Sequence, residues 1–241
     1  MKKAFLALSL LFVSTLAMAA KPLALVYVGP GSCFVCWTSA AITAKKAGFE
    51  VKLVNGKNTS STLFEQANLW VQPGGNSRAA AKFMGEEGLS KIRNFVANGG
   101  GYTGFCAGGF LSTQEVGTSG MKGLGILPGT TKLHDQRDGP AEMLSIHWND
   151  RQRSILYHGG PHFNLSNVTD PNVHVIATYD NDFGQNTNVA AATALYGKGR
   201  VAVNGFHSEA TRFWKIKNRL KDADGSDQDL AASFMRWAAK I

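Results

Sequence analysis

Cys106 lies in the middle of a glycine-rich stretch, residues 104–109, which reads Gly-Phe-Cys-Ala-Gly-Gly. Residues 102–105, which follow the glycine run 99–101, are predicted to form a β-strand that ends at this cysteine. A nucleophile between two glycines, on the turn from a strand into a helix, is held in a strained backbone conformation at the carboxyl edge of the sheet. The N-terminus of the next helix would stabilise a thiolate, and the Ala107 N–H could bind an oxyanion. We therefore predict that Cys106 is a nucleophile; the alternative is a small buried cysteine in a tight turn.

A histidine and a glutamate follow a second predicted strand, at residues 200–204. A thiol nucleophile needs a base, and the base needs an acceptor that orients it. His207 and Glu209 supply these two groups, provided that their strand runs parallel to the strand before Cys106. The alternative is an ordinary surface pair, which is what a histidine beside a glutamate usually is.

The Pro-Gly-Gly turn at 73–75 follows a predicted strand at 68–71. Glycines in this position let backbone N–H groups approach a ligand, so Gly75 could be a second oxyanion donor and Gly74 could touch the substrate. An ordinary turn would have the same sequence. His158 and His162 bracket another glycine-containing stretch and could also contact the substrate. No carboxylate stands at a metal-binding spacing from them, so we predict neither a metal nor a cofactor.

Cys33 and Cys36 form a C-x-x-C pair one helical turn apart, close to the end of the first predicted strand. Such a pair can be redox-active, or can lock Cys106 in a disulfide. It can also be a structural disulfide or a pair of cysteines packed in a helix, and we favour this interpretation. A zinc site would need two further ligands, and the sequence has no matching second pair.

The predicted elements alternate between short apolar strands and helices. Strands are predicted at 23–28, 51–54, 68–71 and 102–105, and helices at 32–47 (capped by Ser32) and 90–97. Further on, strands are predicted at 142–148, 154–157, 173–179, 189–196 and 200–204, and helices at 211–220 and 227–239. This order predicts an α/β fold with a mostly parallel sheet covered by helices. The strands at 189–196 and 200–204 are joined by Gly-Lys-Gly, which favours an antiparallel turn.

Residues 1–20 have the basic, apolar and small-residue regions of a secretory signal peptide, which predicts a periplasmic or secreted protein. We expect one domain at 21–241 and no stable membrane anchor after cleavage. The formal net charge is +8, and the basic residues are scattered apart from a cluster at 212–221. No aromatic-plus-basic motif accompanies that cluster, so no nucleic-acid partner is expected.

The ordered motifs resemble the class I glutamine amidotransferase-like fold. Gly-Pro-Gly-Ser at 29–32 and Tyr-His-Gly-Gly-Pro-His-Phe at 157–163 make the sequence similar to the N-terminal domain of biotin–protein ligases, which also occurs free-standing. The resemblance implies a flavodoxin-like three-layer sandwich. It also implies a triad of Cys106, His207 and Glu209, with Gly75 and Ala107 as the oxyanion hole.

Two departures from that family bear on function. Glutaminases of the family carry a glutamine four residues after the nucleophile, and here that position is Phe110, which we count among the substrate contacts. The family's His-Pro-Glu is His-Ser-Glu here. We therefore predict hydrolysis of an unidentified small-molecule or peptide amide, or of an ester, rather than glutamine-dependent amide transfer. The alternative is a non-catalytic binding or redox-responsive protein on the same fold.

Overall fold

The computed structural model describes residues 20–241 apart from 57, 58, 136–138, 166, 167, 183, 185 and 186. The predicted signal peptide, except for Ala20, lies outside the described residues. No helix in the described part of the chain is both long enough and apolar enough to span a membrane.

Eleven strands and six helices are formed within the described residues. The strands are β1 (Leu23–Tyr27), β2 (Glu50–Val54), β3 (Leu69–Gln72), β4 (Gly101–Phe105), β5 (Thr130–Leu133), β6 (Glu142–Trp148), β7 (Arg151–Tyr157), β8 (Pro161–Asn164), β9 (His174–Tyr179), β10 (Val189–Tyr196) and β11 (Gly199–Asn204). The helices are α1 (Phe34–Lys46), α2 (Ser61–Gln66), α3 (Ser77–Ala97), α4 (Ala107–Ser112), α5 (Arg212–Lys217) and α6 (Gln228–Ala239).

One sheet takes strands from both halves of the chain, in the order β2-β1-β3-β4-β11-β10-β9-β6-β7. The first five strands are parallel to their neighbours, and the remaining strands extend the sheet with antiparallel pairs. Strand β8 pairs with β10 and β5. The predicted α/β class and parallel central sheet are confirmed, and the whole sheet is mixed because its later part is built from hairpins.

Helices cover both faces of the sheet, and the side chains of β1 alternate between them. Ala24 and Val26 belong to a buried cluster with apolar residues of α1 and α6. Leu23 and Leu25 belong to another cluster with apolar residues of α3 and α4. A strand that is fully buried on both faces needs a continuous apolar sequence, which is why Leu-Ala-Leu-Val-Tyr is found here.

Four sequence predictions are corrected by the structure. The N-cap of α1 is Cys33 rather than Ser32, because the Cys33 sulfur accepts the Cys36 N–H at 3.1 Å. Helix α3 begins at Ser77 instead of residue 90, with a kink at Gly85 that interrupts the helical pattern. The sequence analysis missed α2, β5 and β8, which are short and weakly patterned. The polar sequence around His134 and Asp135 predicts a surface loop, yet these residues are 0% and 4% exposed.

Candidate functional site

Cys106 occupies a strained turn between β4 and α4, with φ 50° and ψ −101°. Its N–H donates to the Asn204 carbonyl at 3.0 Å, which ties the turn to β11. The two flanking glycines are required by close approach, because a Cβ on Gly104 would lie 2.6 Å from the Gly108 carbonyl carbon. The G-x-C-x-G pattern therefore follows from this sharp backbone reversal.

The loop after β11 brings His207 and Glu209 to the same edge of the sheet as Cys106. Strand β11 is parallel to β4, with Asn204 opposite Phe105, so the segments that follow both strands leave the sheet together. The His207 Nδ1 lies 2.9 Å from the Glu209 Oε1, and these side chains are 2% and 0% exposed. The Cys106 and His207 side chains are hydrogen-bonded to each other. The three side chains thus form a continuous chain with the imidazole in the centre.

The electrostatics of this chain favour a charged imidazole. Burial alone would lower the His207 pKa, but the negative charges of Glu209 and Cys106 and the hydrogen bonds to both outweigh it and raise the pKa to about 10. An imidazolium beside the sulfur stabilises a thiolate, and the thiolate is the reactive form of cysteine.

Trp214, which the sequence analysis did not select, holds the imidazole from one side. Its ring centroid lies 4.5 Å from that of His207, at an interplanar angle of 56°. The backbone N–H of His207 also donates to the Leu156 carbonyl at 2.8 Å. In the sequence, Trp214 is one tryptophan among the basic residues of 212–221. That pattern does not indicate which way its side chain points.

The Gly74–Gly75 turn is held against the segment that precedes α1. The Cys33 N–H donates to the Gly74 carbonyl at 3.2 Å, and the Asn76 N–H donates to the Gly31 carbonyl at 2.7 Å. Neither bond uses the Gly75 N–H. Gly75 has φ 133°, and a Cβ there would collide with the Gly31 carbonyl oxygen. A Cβ on Gly74 would likewise collide with the His207 Cε1. Both glycines are therefore needed beside the imidazole.

Cys33 and Cys36 are joined by a disulfide. Cys36 is 2% exposed and belongs to a buried cluster with Leu156, Ala210 and Trp214. Cys33 is half-buried and faces a cavity. Cys106 is the free cysteine among the described residues.

A cavity of about 640 Å³ opens over Cys106. Its lining includes both cysteines of the disulfide, Gly75, His158 and His207, with Asp135, Glu142, Tyr157, Trp214, Lys217 and Asn218 around them. This volume lies in the range of small-molecule sites. The Cys106 sulfur lies 3.6 Å from the His158 carbonyl oxygen, so the His158 loop borders the nucleophile directly.

Two other predicted substrate contacts, Phe110 and His162, are not part of the lining of the cavity over Cys106. Phe110 lines a neighbouring cavity that shares Gly75, Leu133 and Gly159 with the first. His162 is 1% exposed and lies beside His134, with the ring centroids 5.9 Å apart. Burial lowers the pKa of both histidines to about 4, helped by the charge of His162 for His134 and of Lys132 for His162.

The part of the chain that the structure describes contains no cluster of three or more histidine, cysteine or carboxylate side chains arranged to hold a metal ion.

Residues 23–126 match the family described as "Biotin-protein ligase, N terminal". A biotin–protein ligase of Schizosaccharomyces pombe is 31% identical over 163 residues, which are 58% of this chain and 25% of that protein. The chain therefore spans about a quarter of the length of this curated relative.

Solved structures extend the similarity to nearly the whole chain. The structure of PurLQS from Thermotoga maritima has a TM-score of 0.62 and 19% identity, covering 90% of this chain and 99% of that one. A glutamine amidotransferase from the same organism has a TM-score of 0.56 and 11% identity, covering 92% and 100%. The fold is class I glutamine amidotransferase-like. The resemblance inferred from the sequence, to this fold and to the biotin–protein ligase N-terminal domain, is confirmed.

The amidotransferase-like fold explains where the site lies. In an open α/β sheet, ligands bind outside the carboxyl ends of the parallel strands, and β1, β3, β4 and β11 all end at this cavity. The fold by itself does not decide the reaction, because one fold hosts many activities.

Proposed function

We propose that this amidotransferase-like protein hydrolyses an amide or an ester by nucleophilic cysteine catalysis. Cys106 would be the nucleophile, His207 the general acid and base, and Glu209 the carboxylate that orients His207. The observation that carries the proposal is the buried His207, hydrogen-bonded to Cys106 on one side and to Glu209 at 2.9 Å on the other.

The reaction would proceed in two halves. The Cys106 thiolate attacks the carbonyl carbon of the substrate, and the N–H groups of Gly75 and Ala107 stabilise the oxyanion. His207 then donates its proton to the leaving amine or alcohol, and a thioester remains on Cys106. In the second half His207 removes a proton from water, the hydroxide attacks the thioester, and the carboxylic acid leaves as the thiol is regenerated.

The proposed substrate is a small molecule or a peptide with an amide or ester bond. A cavity of about 640 Å³ accommodates such a group, and Lys217 and Glu142 give its rim charges of both signs. Phe110 stands where glutaminases of this fold have a glutamine, which argues against glutamine as the substrate. The proposal needs no cofactor, metal, nucleic acid or membrane anchor.

Export to the periplasm or the medium is part of the proposal. The signal-like pattern at 1–20 and the Cys33–Cys36 disulfide support it, because disulfides persist in oxidising compartments. The test is to fractionate cells that express the full chain and to determine the N-terminus of the product. Full-length protein retained in the cytosol would refute export.

The triad is tested by the pH dependence of Cys106 alkylation. A small iodoacetamide probe is applied to the oxidised protein, in which Cys33 and Cys36 do not react. We expect Cys106 to react as a thiolate well below the ordinary cysteine pKa of about 8.5. In His207→Gln this reactivity should be lost, whereas His174→Gln, an exposed histidine on β9, should leave it unchanged. A titration of Cys106 that is the same in all three proteins would refute the proposed role of His207.

A binding protein without turnover is the second candidate function, and Phe110 is the observation that favours it. An activated thiol that hydrolyses none of a panel of amides and esters, but retains a ligand on co-purification, would favour this candidate. Hydrolysis of any substrate that is abolished in Cys106→Ala would favour the first.

A further inference from the structure

We propose that Cys33 and Cys36 form a redox-active centre, which exchanges electrons with an external dithiol at the wall of the Cys106 cavity. This inference goes beyond the proposed hydrolysis and does not depend on it. It rests on the position of the two sulfurs at the start of α1, on their different exposure, and on their contacts with the Cys106 site.

The two cysteines differ in the way that thiol–disulfide exchange requires. Both cysteines line the cavity, but Cys33 is half-buried, whereas Cys36 is 2% exposed and belongs to the buried cluster that contains Trp214. An incoming thiolate therefore reaches the sulfur of Cys33, and the sulfur of Cys36 is the leaving group. Phe34, between the two cysteines, is 74% exposed and offers an apolar contact to a protein that carries the attacking thiol.

The start of α1 is arranged to stabilise the reduced form of Cys33. The Cys33 sulfur is the N-cap of α1 and accepts the Cys36 N–H at 3.1 Å. The first turn of α1 contains no acidic residue, and its last turn contains Lys45 and Lys46. A thiolate at a helix N-terminus is stabilised by the helix dipole and by the free N–H groups, and a disulfide whose reduced form is stabilised is easier to reduce.

The titratable side chains that line the cavity include both acids and bases. They are Cys106, Asp135, Glu142, Tyr157, His158, His207 and Lys217. The raised pKa of His207 keeps a positive charge at this end of the cavity, where it also favours a thiolate.

The exchange conserves atoms and electrons. The thiolate of the dithiol forms a bond to the Cys33 sulfur, the Cys33–Cys36 bond breaks, and Cys36 leaves as a thiolate that takes up a proton. The second thiolate of the dithiol then attacks the dithiol sulfur that is bonded to Cys33, and Cys33 is released. The dithiol loses two electrons and becomes a disulfide, Cys33 and Cys36 gain them, and the two thiol protons of the dithiol balance the two that the cysteines acquire.

The redox centre is joined to the Cys106 site by packing and by the hydrogen bond from the Cys33 N–H to the Gly74 carbonyl. Trp214 contacts both the Cys36 cluster and the His207 ring. A Cβ on Gly74 would lie 3.1 Å from the Cys36 sulfur and would collide with His207, so the disulfide and the imidazole both pack against the same face of this glycine. A change in the disulfide should therefore alter the packing around His207, the proposed base for Cys106.

The test uses the folded Cys106→Ser protein, which lacks the proposed nucleophile. Its result therefore does not depend on whether the wild type hydrolyses a substrate. The protein is equilibrated with dithiothreitol and with buffers of varied reduced and oxidised glutathione, quenched in acid, and its thiols are counted by mass spectrometry after alkylation. We expect Cys33 and Cys36 to be reduced together and reversibly without denaturant. We expect Cys33 to be alkylated at least about tenfold faster than Cys36 after reduction at neutral pH, since it is the exposed thiolate.

A disulfide that stays oxidised at every glutathione ratio, and opens only in denaturant, would overturn the proposal and leave a structural disulfide. A second measurement separates the two cysteines. In Cys36→Ser the lone Cys33 should be alkylated with a pKa below about 8.5, and in Cys33→Ser the lone Cys36 should react slowly at all neutral pH values. Equal rates in these two variants would also overturn it.

Discussion

The backbone N–H of Cys33 donates to the carbonyl of Gly74 at 3.2 Å. The first cysteine of the disulfide and the glycine turn beside His207 are thereby held as one unit. The cavity over Cys106 is bounded on this side by the end of β3 and the start of α1 together.

Reduction of the disulfide should change the reactivity of Cys106. Freeing Cys36 loosens the packing beside Gly74, where the Cys36 sulfur and the His207 ring both lie. We expect the alkylation rate of Cys106 at pH 7 to fall about threefold or more in the reduced protein, because the orientation of the base is lost. The rate is measured by mass spectrometry of the Cys106 peptide. A Cys33→Ala/Cys36→Ala variant is the control and should show no effect of reductant; an equal rate in the oxidised and reduced wild type would contradict the prediction.

Glu209→Gln should remove most of the activation of Cys106. Without the carboxylate, burial dominates and the His207 pKa falls from its raised value. The imidazole is then neutral at neutral pH, and we expect Cys106 alkylation at pH 7 to slow about tenfold or more. The measurement is the rate between pH 5 and pH 10. Glu50→Gln, which removes an exposed carboxylate from β2, is the matched control. Identical pH profiles for the two variants would show that Glu209 has no role in activation.

Gly75→Ala should destabilise the protein more than its backbone strain explains. Gly75 and Gly48 both have positive φ, 133° and 102°, but a Cβ on Gly75 collides with Gly31 whereas one on Gly48 has nothing within 4 Å. We expect Gly48→Ala to cost about 1 kcal/mol of the free energy of unfolding, and Gly75→Ala about 3 kcal/mol or more. Urea denaturation measures both. Equal losses would mean that the turn can move away from Gly31 freely.

Acid should destabilise the protein through His134 and His162. Their folded-state pKa values are lowered to about 4, against about 6.5 in an unfolded chain. The native state therefore binds fewer protons than the unfolded state between these values, so stability is present above pH 6.5 and is lost as the pH falls toward 4. We expect a loss of about 1 to 3 kcal/mol for each histidine.

Urea titrations at pH 7 and pH 4.5 check this dependence. The double variant His134→Gln/His162→Gln should lose less stability between the two pH values than the wild type does. If the wild type and the double variant lost the same amount, the acid sensitivity would have to come from other groups.

Lys215→Met should be strongly destabilising, although Lys215 lies in the basic cluster at 212–221. Its Nζ donates to Asp222 at 2.6 Å and to Asp227 at 2.7 Å, and Asp227 is 0% exposed. Removing the cation leaves a buried carboxylate with one fewer partner, which costs about 3 kcal/mol. Arg212→Met, on the exposed side of the same helix, should change the free energy of unfolding by less than about 0.5 kcal/mol. Thermal or urea unfolding compares them, and equal effects would refute a supporting role for the buried lysine.

Several elements of the fold could be predicted because their patterns are local. The buried strand β1 is an unbroken apolar run, β4 starts at the end of the glycine run 99–101, and β10 and β11 are joined by a glycine turn, so each was identified close to its observed bounds. Helix α3 was only partly predicted, because Gly85 and Gly88 interrupt its apolar pattern. Beyond the kink at Gly85 the helix continues with Leu89 and Ile92 packed in the core.

The sequence by itself determined the amidotransferase-like fold, the strained turn at Cys106 and the nearness of His207 to Glu209 along the chain. Each of these depends on short-range patterns: strand runs, glycines around a nucleophile, and a two-residue spacing. Only the tertiary structure decided that β11 pairs with β4, that Trp214 covers the imidazole, and that the Cys33–Cys36 disulfide borders the same cavity. These contacts join segments far apart in the chain, and their geometry is set by sheet pairing and packing, which no local pattern encodes.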